Sequence, residues 1–554
     1  MADWSILKKR VAQKWQIPLF FLSLALLAGA LLRISPSSTP PSLEDAEEFL
    51  GAMVSGGMYE RAILTAHALL NEEKYTDVEL SPIHLALARA YSAQANVRGE
   101  HTAAMGRVIV DHYQRATSSG SALDVDDFEK WGWACYWQRD YAAATEYLQT
   151  AIDGGSEDRL DLLRQVIWLG RYELDTPPQQ LNEKLDRLIA ETGEHRLDLC
   201  LWAIEQKLEV LEATDQLEQA ATLLVRNEER FRGSDLWDHY DYLKGLLLYK
   251  TGHYDEAETL LRAVRNRVER GDEVYAMTGW LLGRVVLNDG GPQRPAEALS
   301  FFDDVVAYHP GGLYSLASRI GQAEAYALLE RHDDAIGTYR IATEDLDTLR
   351  RNRLVSVDVL RTSMGVMAET LRQAGNARAA VEYARLAITL VDRNNTEQAI
   401  MFLRQLARVL EIRADEIEAE AAAGEEEAFA IKGATSEGAR RLYAEAAATC
   451  LELAKYSITN QGESADWSWQ AAELCARSGD RARAMELFRS FAAEYPSHPL
   501  VARSLLRVGQ LNRALGDLPA AIEAYRECYR RFPRMLDGVR ALVPLARAYL
   551  ASGP

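Results

Sequence analysis

The sequence predicts an all-α protein, and two features of its 554 residues lead to this prediction. Long segments are rich in Ala, Leu, Glu and Arg, and the Thr, Val and Ile runs typical of β-strands are scarce. Hydrophobic residues make up 48% of the chain and aromatic residues 8%, a composition that excludes wholesale disorder. The length allows several domains or one long array of repeats.

The chain is strongly acidic, with a formal net charge of -20 at pH 7. A surface of this sign repels phosphates, so we expect no nucleic-acid partner. The simplest interpretation of the acidity is a solvated outer face, and an attraction to basic ligands is the alternative.

The first 43 residues predict a membrane anchor followed by a spacer. Residues 1–16 form a short basic segment, and residues 17–34 form the anchor, whose first sixteen positions read IPLFFLSLALLAGALL without a charge. This length is near the lower limit of a spanning helix, roughly 17 to 25 residues. The basic cluster before the anchor predicts a cytoplasmic N-terminus, with the remainder of the chain in the bacterial periplasm. Residues 35–43, rich in Ser and Pro, predict an extended spacer.

Two alternatives for the apolar segment remain. A signal peptidase could cleave after Ala30, because Ala28-Gly29-Ala30 has the small-x-small pattern. The apolar run continues beyond this point, which favours retention of the anchor. A buried core helix is the second alternative, and it lacks a globular context before the Ser/Pro-rich spacer.

A helical-hairpin pattern recurs along the rest of the chain, and Tyr242–Val264 shows it most completely. In this hairpin, Gly245 and Ala257 are small residues twelve positions apart, and Gly252 marks the turn five positions before Ala257. A glycine is suited to the left-handed conformation that ends a helix. Alanines that align with Ala257 are Ala62, Ala144, Ala298, Ala335, Ala380, Ala484 and Ala521. Small residues twelve positions earlier are Gly132, Ala323, Ala368, Ala472 and Gly509, and further turn glycines are Gly57, Gly375, Gly479 and Gly516.

This pattern resembles the tetratricopeptide repeat (TPR), a helix-turn-helix unit with a 34-residue period. The resemblance implies a right-handed superhelical solenoid, with TPR or TPR-like repeats over residues 44–412 and C-terminal TPR repeats over residues 442–554. Between them, residues 413–441 form an acidic, Ala/Glu-rich insertion that we expect to be solvated or to act as a hinge. Residues 153–235 keep a helical period but lose the small residues, so we expect degenerate hairpins there.

The last hairpin begins at Val539–Leu550, and no polar capping helix follows it before Pro554. Because the ends of solenoids normally carry such a helix, we expect either a partner that covers this end or a native chain that continues.

No catalytic, cofactor-binding or metal-binding motif is present in the sequence, so we expect a non-enzymatic protein without a cofactor. The five cysteines are far apart and include no Cys-x-x-Cys, which argues against a zinc site and against a disulfide framework. Three of them fall on core positions of the repeat, so we expect small buried side chains.

The TPR resemblance further implies a concave groove lined by the first helix of each repeat. In the repeat of Ala144 the groove positions hold Asp126 and Glu129 together with Trp133, Tyr136 and Trp137. Candidate groove residues elsewhere are Tyr242, Tyr249 and Lys250, beside His239 and Leu246, and Trp469 in the repeat of Ala484. Tyr and Trp at such positions favour peptide binding, because they provide a large contact area at low entropic cost. The alternative is that Trp131 and Trp133 pack between hairpins.

The Lys and Asn that bind acidic C-terminal tails in chaperone-binding TPR domains are missing from these positions, which argues against a partner of that kind.

The predicted anchor, spacer and repeats together favour a membrane-anchored TPR scaffold that binds other proteins and recruits or assembles an envelope-associated complex. The alternative is a regulatory or substrate-recruiting arm of an enzyme or secretion machine, whose active part lies beyond residue 554 or on a partner chain.

Overall fold

The computed structural model describes residues 43–552 except 73–74, 292, 393 and 425–435. Within these ranges every regular element is a helix, so the all-α prediction is confirmed there. The basic segment, the predicted anchor and nearly all of the spacer lie outside the described residues. None of the described helices combines the length and apolar character needed to cross a membrane.

The chain divides into two compact units, residues 1–240 and residues 241–554, and the boundary falls within one helix. In the first unit the helices are α1 (Leu43–Ser55), α2 (Tyr59–Leu70), α3 (Asp77–Arg98), α4 (Ala103–Ser118), α5 (Val125–Trp137), α6 (Tyr141–Asp153), α7 (Arg159–Tyr172), α8 (Pro178–Glu191), α9 (Leu197–Ala213) and α10 (Leu217–Phe231). The boundary helix is α11 (Trp237–Lys250).

The second unit continues with α12 (Tyr254–Arg267), α13 (Glu273–Asp289), α14 (Arg294–Tyr308), α15 (Leu313–Leu328), α16 (His332–Ala342), α17 (Leu346–Arg351), α18 (Val357–Gln373), α19 (Ala377–Thr389), α20 (Thr396–Gly424), α21 (Glu437–Tyr456), α22 (Gln461–Arg477), α23 (Arg481–Glu494), α24 (Val501–Ala514), α25 (Leu518–Arg531), α26 (Leu536–Arg540) and α27 (Leu542–Ser552). Within each unit, most helices adjacent in sequence pack together, and α1 with α3 and α13 with α15 show that alternate helices also meet.

The turns of the hairpins share one backbone conformation. Gly252 has φ of 80°, and Arg139, Asp215 and Glu330 take the same left-handed region at φ of 66°, 56° and 59°. Left-handed backbone is strained for residues that have a Cβ, so the hairpin geometry imposes it at these three positions. Asp215 lies five positions before the buried Ala220, so α9 and α10 form a hairpin with the turn of the repeat in the segment where the sequence predicts degenerate hairpins.

Close packing of the two helices explains the small residues of the pattern. The aligned alanines are all at most 1% exposed. A Cβ placed on Gly245 would lie 2.6 Å from Leu261 Cδ2, and one on Gly509 would lie 2.4 Å from Tyr525 Cε1. The large side chain four positions after the alanine therefore fills the space that the glycine of the first helix leaves open.

The long helix α20 enters the segment predicted as an acidic insertion, residues 413–441, and packs within the second unit. Tyr443 Oη of α21 lies 2.6 Å from Asp415 Oδ1 and 2.8 Å from Glu418 Oε2, and Arg477 of α22 forms ion pairs with Asp415 and Glu411. These contacts hold residues 411–418 against the next two helices. Residues 425–435 of that segment lie outside the described residues.

All five cysteines are free and buried in the helical core. Burial raises the pKa of the Cys135 and Cys450 thiols to about 12 and that of Cys528 to about 11. A thiol with a raised pKa is a poor nucleophile at neutral pH, so these side chains serve as small apolar groups.

Three histidines meet between α2, α3 and α4 in the first unit. The buried rings of His84 and His112 stack at 5.2 Å, and their Nδ1 atoms lie 3.0 Å apart, so one ring donates to the other. His67 Nε2 lies 2.8 Å from Tyr91 Oη, and the His67 and His112 ring centroids are 6.2 Å apart. Among the described residues, no group of three or more His, Cys, Asp or Glu side chains is arranged to hold a metal ion.

Burial and neighbouring charges disfavour protonation of this pair. Desolvation lowers the pKa of His112 from 6.5 to about 4, with a further contribution from His84. Desolvation also lowers the pKa of His84, as does the positive charge of Arg115, whereas Asp111 and Asp77 oppose the effect.

We expect the first unit to lose stability as the pH falls from 6.5 towards 4. Both histidines have a lower pKa when folded than when unfolded, so in this window the unfolded chain binds more protons. The stabilising contribution is complete above pH 6.5 and declines below it. His112→Gln should flatten this pH dependence in urea denaturation, and His195→Gln, at an exposed histidine of the same unit, should leave it unchanged. Equal slopes in wild type and His112→Gln would contradict the prediction.

Candidate partner-binding groove

The helix α5 carries the groove residues of the first unit, and an ion pair to its buried Asp127 fixes its position. Asp127 is fully buried and accepts hydrogen bonds from Arg89 Nε at 2.8 Å and Nη2 at 2.7 Å. Asp124 and Asp127 also form a capping box at the start of α5. Burial would raise the pKa of Asp127, but the hydrogen bonds from Arg89 and from the Asp124 backbone amide, together with the Arg89 charge, lower it below its usual value. The α5 helix is thereby bound to α3.

The packing of α5 against α6 follows the same rule as the other hairpins. Gly132 faces Leu148 of α6, and a Cβ on Gly132 would lie 2.7 Å from the Leu148 side chain. Trp131 is 5% exposed and stacks between Tyr147 at 4.0 Å and Tyr113 at 5.4 Å. Trp131 therefore packs between helices, which is the alternative that the sequence left open for it.

A concave cavity of about 1000 Å³ opens beside α5 in the first unit. All five groove positions predicted for this repeat line it. The lining residues are Ser92, Asn96, His101, Ala103, Asp126, Glu129, Lys130, Trp133, Tyr136, Trp137, Arg139, Tyr141, Ser156, Glu157 and Asp158. The repeat geometry thus brings Trp133, Tyr136 and Trp137 together with carboxylates on one surface.

The aromatic residues on one side of the cavity make one edge-to-face contact and one stacked contact. Trp133 and Tyr136 meet edge to face, with ring centroids 5.7 Å apart and planes at 88°. Trp137 stacks on His101 at 4.6 Å and 21°. Tyr136 and Trp137 also pack against the buried cluster around Trp131. All three predicted aromatic residues are partly exposed, so they present apolar surface to a ligand.

The acidic side of the cavity is centred on Glu129. Ser156 Oγ donates to Glu129 Oε2 at 2.9 Å, and no other partner contacts this carboxylate within the described part of the chain. Desolvation raises the pKa of Glu129, and the negative charges of Asp158 and Asp126 raise it further. The charge of Lys130 partly opposes this rise, but Glu129 makes no ion pair within the described part of the chain.

Several cavity residues escaped the sequence prediction. Asn96 comes from the last turn of α3 and His101 from the α3–α4 connection, and Ser156, Glu157 and Asp158 come from the loop after α6. The groove rule covers only first-helix positions, so it does not reach these loops.

The candidate groove residues outside this cavity lie in the second unit. Tyr242 is 3% exposed, so its side chain presents almost no surface. Tyr249 is partly exposed and accepts a hydrogen bond from Asn288 Nδ2 at 2.9 Å, and Lys250 is exposed. Trp469 packs against Phe488 at 5.1 Å and Phe491 at 5.6 Å, contacts typical of a core side chain. These residues do not share one described cavity as Trp133, Tyr136 and Trp137 do.

One segment matches a known family. Residues 503–534, which include most of α24 and all of α25, match the family model described as tetratricopeptide repeat. The chain therefore contains a TPR at this position, with Gly509, Gly516 and Ala521 at the small, turn and aligned positions. The comparison with curated proteins gives no match.

Solved structures with similar helical folds include the apo form of RapI, at 13% identity over 63% of this chain and 97% of that chain, with a TM-score of 0.42. The APC/C hetero-tetramer Cut9–Hcn1 matches at 13% identity over 94% and 98% of the two chains, with a TM-score of 0.26. The human IFIT1 dimer with m7Gppp-AAAA matches at 13% identity over 78% and 87%, with a TM-score of 0.25. All three scores are below 0.5, so the TPR assignment depends on the family match and the hairpin geometry.

Alanine substitutions should separate core tryptophans from groove tryptophans. Trp131→Ala is expected to lower the free energy of unfolding by about 3–5 kcal/mol, because it removes a fully packed ring. Trp133→Ala is expected to cost less than about 1 kcal/mol, because its ring is partly exposed on the cavity. Urea denaturation followed by circular dichroism measures both, and similar losses for the two variants would show that Trp133 is a core residue.

Proposed function

We propose that this protein is a membrane-anchored, non-catalytic scaffold that binds segments of other proteins in the cavity beside α5. The observation that carries the proposal is the convergence of Trp133, Tyr136 and Trp137 on one concave surface of about 1000 Å³. Aromatic side chains provide much of the binding energy at protein interfaces, and stacked repeats use concave surfaces to hold partners. The TPR at residues 503–534 supports a role in protein interaction.

The proposed location is the periplasmic face of a bacterial inner membrane, where the array would recruit or assemble an envelope-associated complex. The support is in the sequence, since a basic segment precedes the apolar residues 17–34 and an extended spacer separates them from the first helix.

Photo-crosslinking tests the groove. With p-benzoylphenylalanine in place of Trp133, we expect irradiated cells to yield covalent adducts with a partner protein. The matched control places the same amino acid at Val225, which is 74% exposed on α10 of the same unit and lies outside the cavity. Adducts from position 133 alone support the proposal, whereas equal adducts from both positions, or none from either, argue against it.

Protease accessibility tests the location. If the helical units are periplasmic, proteinase added to intact spheroplasts should digest them, while a cytoplasmic marker protein survives. Protection of the units until the spheroplasts are lysed would place them in the cytoplasm and overturn the proposed topology.

A further inference from the structure

The lining of the α5 cavity combines aromatic rings with an excess of carboxylates. Asp126, Glu129, Glu157 and Asp158 contribute negative charge, against Lys130 and Arg139. One of the two cations is already engaged, since Lys130 Nζ lies 3.5 Å from Asp126 Oδ2. The net charge of the cavity lining is therefore negative, which favours a cationic ligand.

Glu129 gives this charge a specific position. Its Oε2 is satisfied by Ser156, and its Oε1 has no hydrogen-bond or ion-pair partner in the described part of the chain. Lys130 pairs with Asp126 and not with Glu129, so a guanidinium or ammonium group of a ligand would give this partly buried carboxylate a direct ion pair.

The aromatic residues complement such a group. Trp133, Tyr136 and Trp137 line the same cavity as Glu129. Cations are attracted to the faces of Trp and Tyr rings, and the aliphatic part of an Arg or Lys side chain packs well on them. An acidic or phosphorylated ligand would instead be repelled, because the four carboxylates outnumber the two cations of the lining.

We infer that the occupant of this cavity is a basic segment of a partner protein, with an Arg or Lys side chain placed between Glu129 and the rings of Trp133 and Tyr136. This inference rests on the proposed function and specifies the chemistry of the partner. It also gives the acidity of the chain a role beyond solvation, because a net charge of -20 accelerates the approach of a basic segment.

Defined peptides test the inference on the purified full chain by fluorescence anisotropy. The probe is a fluorescein-labelled, capped nonapeptide with arginines at three alternate positions in a Gly/Ser background. Matched peptides carry citrulline, which is neutral and nearly isosteric, or Glu at the same positions. We expect the arginine peptide to bind about tenfold or more tightly than the citrulline peptide, and to weaken as the NaCl concentration is raised. The Glu peptide should not bind measurably.

Protein variants separate the cavity from general attraction to an acidic surface. Glu129→Gln should weaken the arginine peptide about tenfold. Glu146→Gln, which removes an exposed carboxylate from α6 outside the cavity, should change its affinity less than twofold. Equal effects of the two variants, or no binding of the arginine peptide up to about 1 mM, would overturn the inference.

One further outcome distinguishes this inference from the proposed function. If the citrulline peptide binds as tightly as the arginine peptide, and Trp133→Ala weakens both, the cavity binds peptides without selecting cations. That result would support the proposed groove and would contradict the inferred preference for a basic segment. The crosslinking result at position 133 is independent of peptide charge.

Discussion

Close approach of two helices is the constraint on which this structure depends. At Gly245 and Gly509 the first helix has no side chain, and Leu261 or Tyr525 of the second helix fills the space within 2.4 to 2.6 Å of where a Cβ would be. A larger residue at the glycine positions would push the hairpin open, and the displaced helix would no longer meet its neighbour in the next hairpin. The contacts within each hairpin are therefore local in sequence, but the distance between its two helices determines how the following hairpins stack within a unit.

The cavity beside α5 results from the same packing together with one buried ion pair. Gly132 brings α5 close to α6, and Arg89 binds Asp127 from α3 on the other side. With both sides fixed, the remaining face of α5 presents Trp133, Tyr136 and Trp137. Removing Arg89 would leave the fully buried Asp127 carboxylate without its ion-pair partner, so the position of α5 and of these rings depends on this pair.

Much of this arrangement can be predicted from the spacing of residues in the sequence. The small residues, the turns and the five groove positions of α5 follow from a repeat whose geometry recurs every few tens of residues, so an alignment on Ala144 is enough to place Trp133 and Trp137 on one surface. The α9–α10 hairpin could be predicted only as a degenerate one because Leu208 occupies the small position, although Asp215 keeps the left-handed turn.

Contacts between residues distant in sequence could not be predicted in this way. Arg89 and Asp127 belong to different hairpins, and His84 and His112 are scattered residues that only the fold brings into contact. Tyr242 shows a different limit of prediction from sequence. Its assignment to the groove assumes that every first helix exposes the same face, but in α11 the Tyr242 side chain is buried. A spacing rule gives the direction of a side chain but not what covers it.

The burial of all five cysteines has a practical consequence for work on this molecule. None needs a partner thiol to fold, so oxidising and reducing conditions should leave the native chain with the same covalent structure. A single cysteine introduced at an exposed position would then be the reactive thiol of the described helices. Spectroscopic probes for distance measurements could be attached to such a cysteine without first removing the native ones.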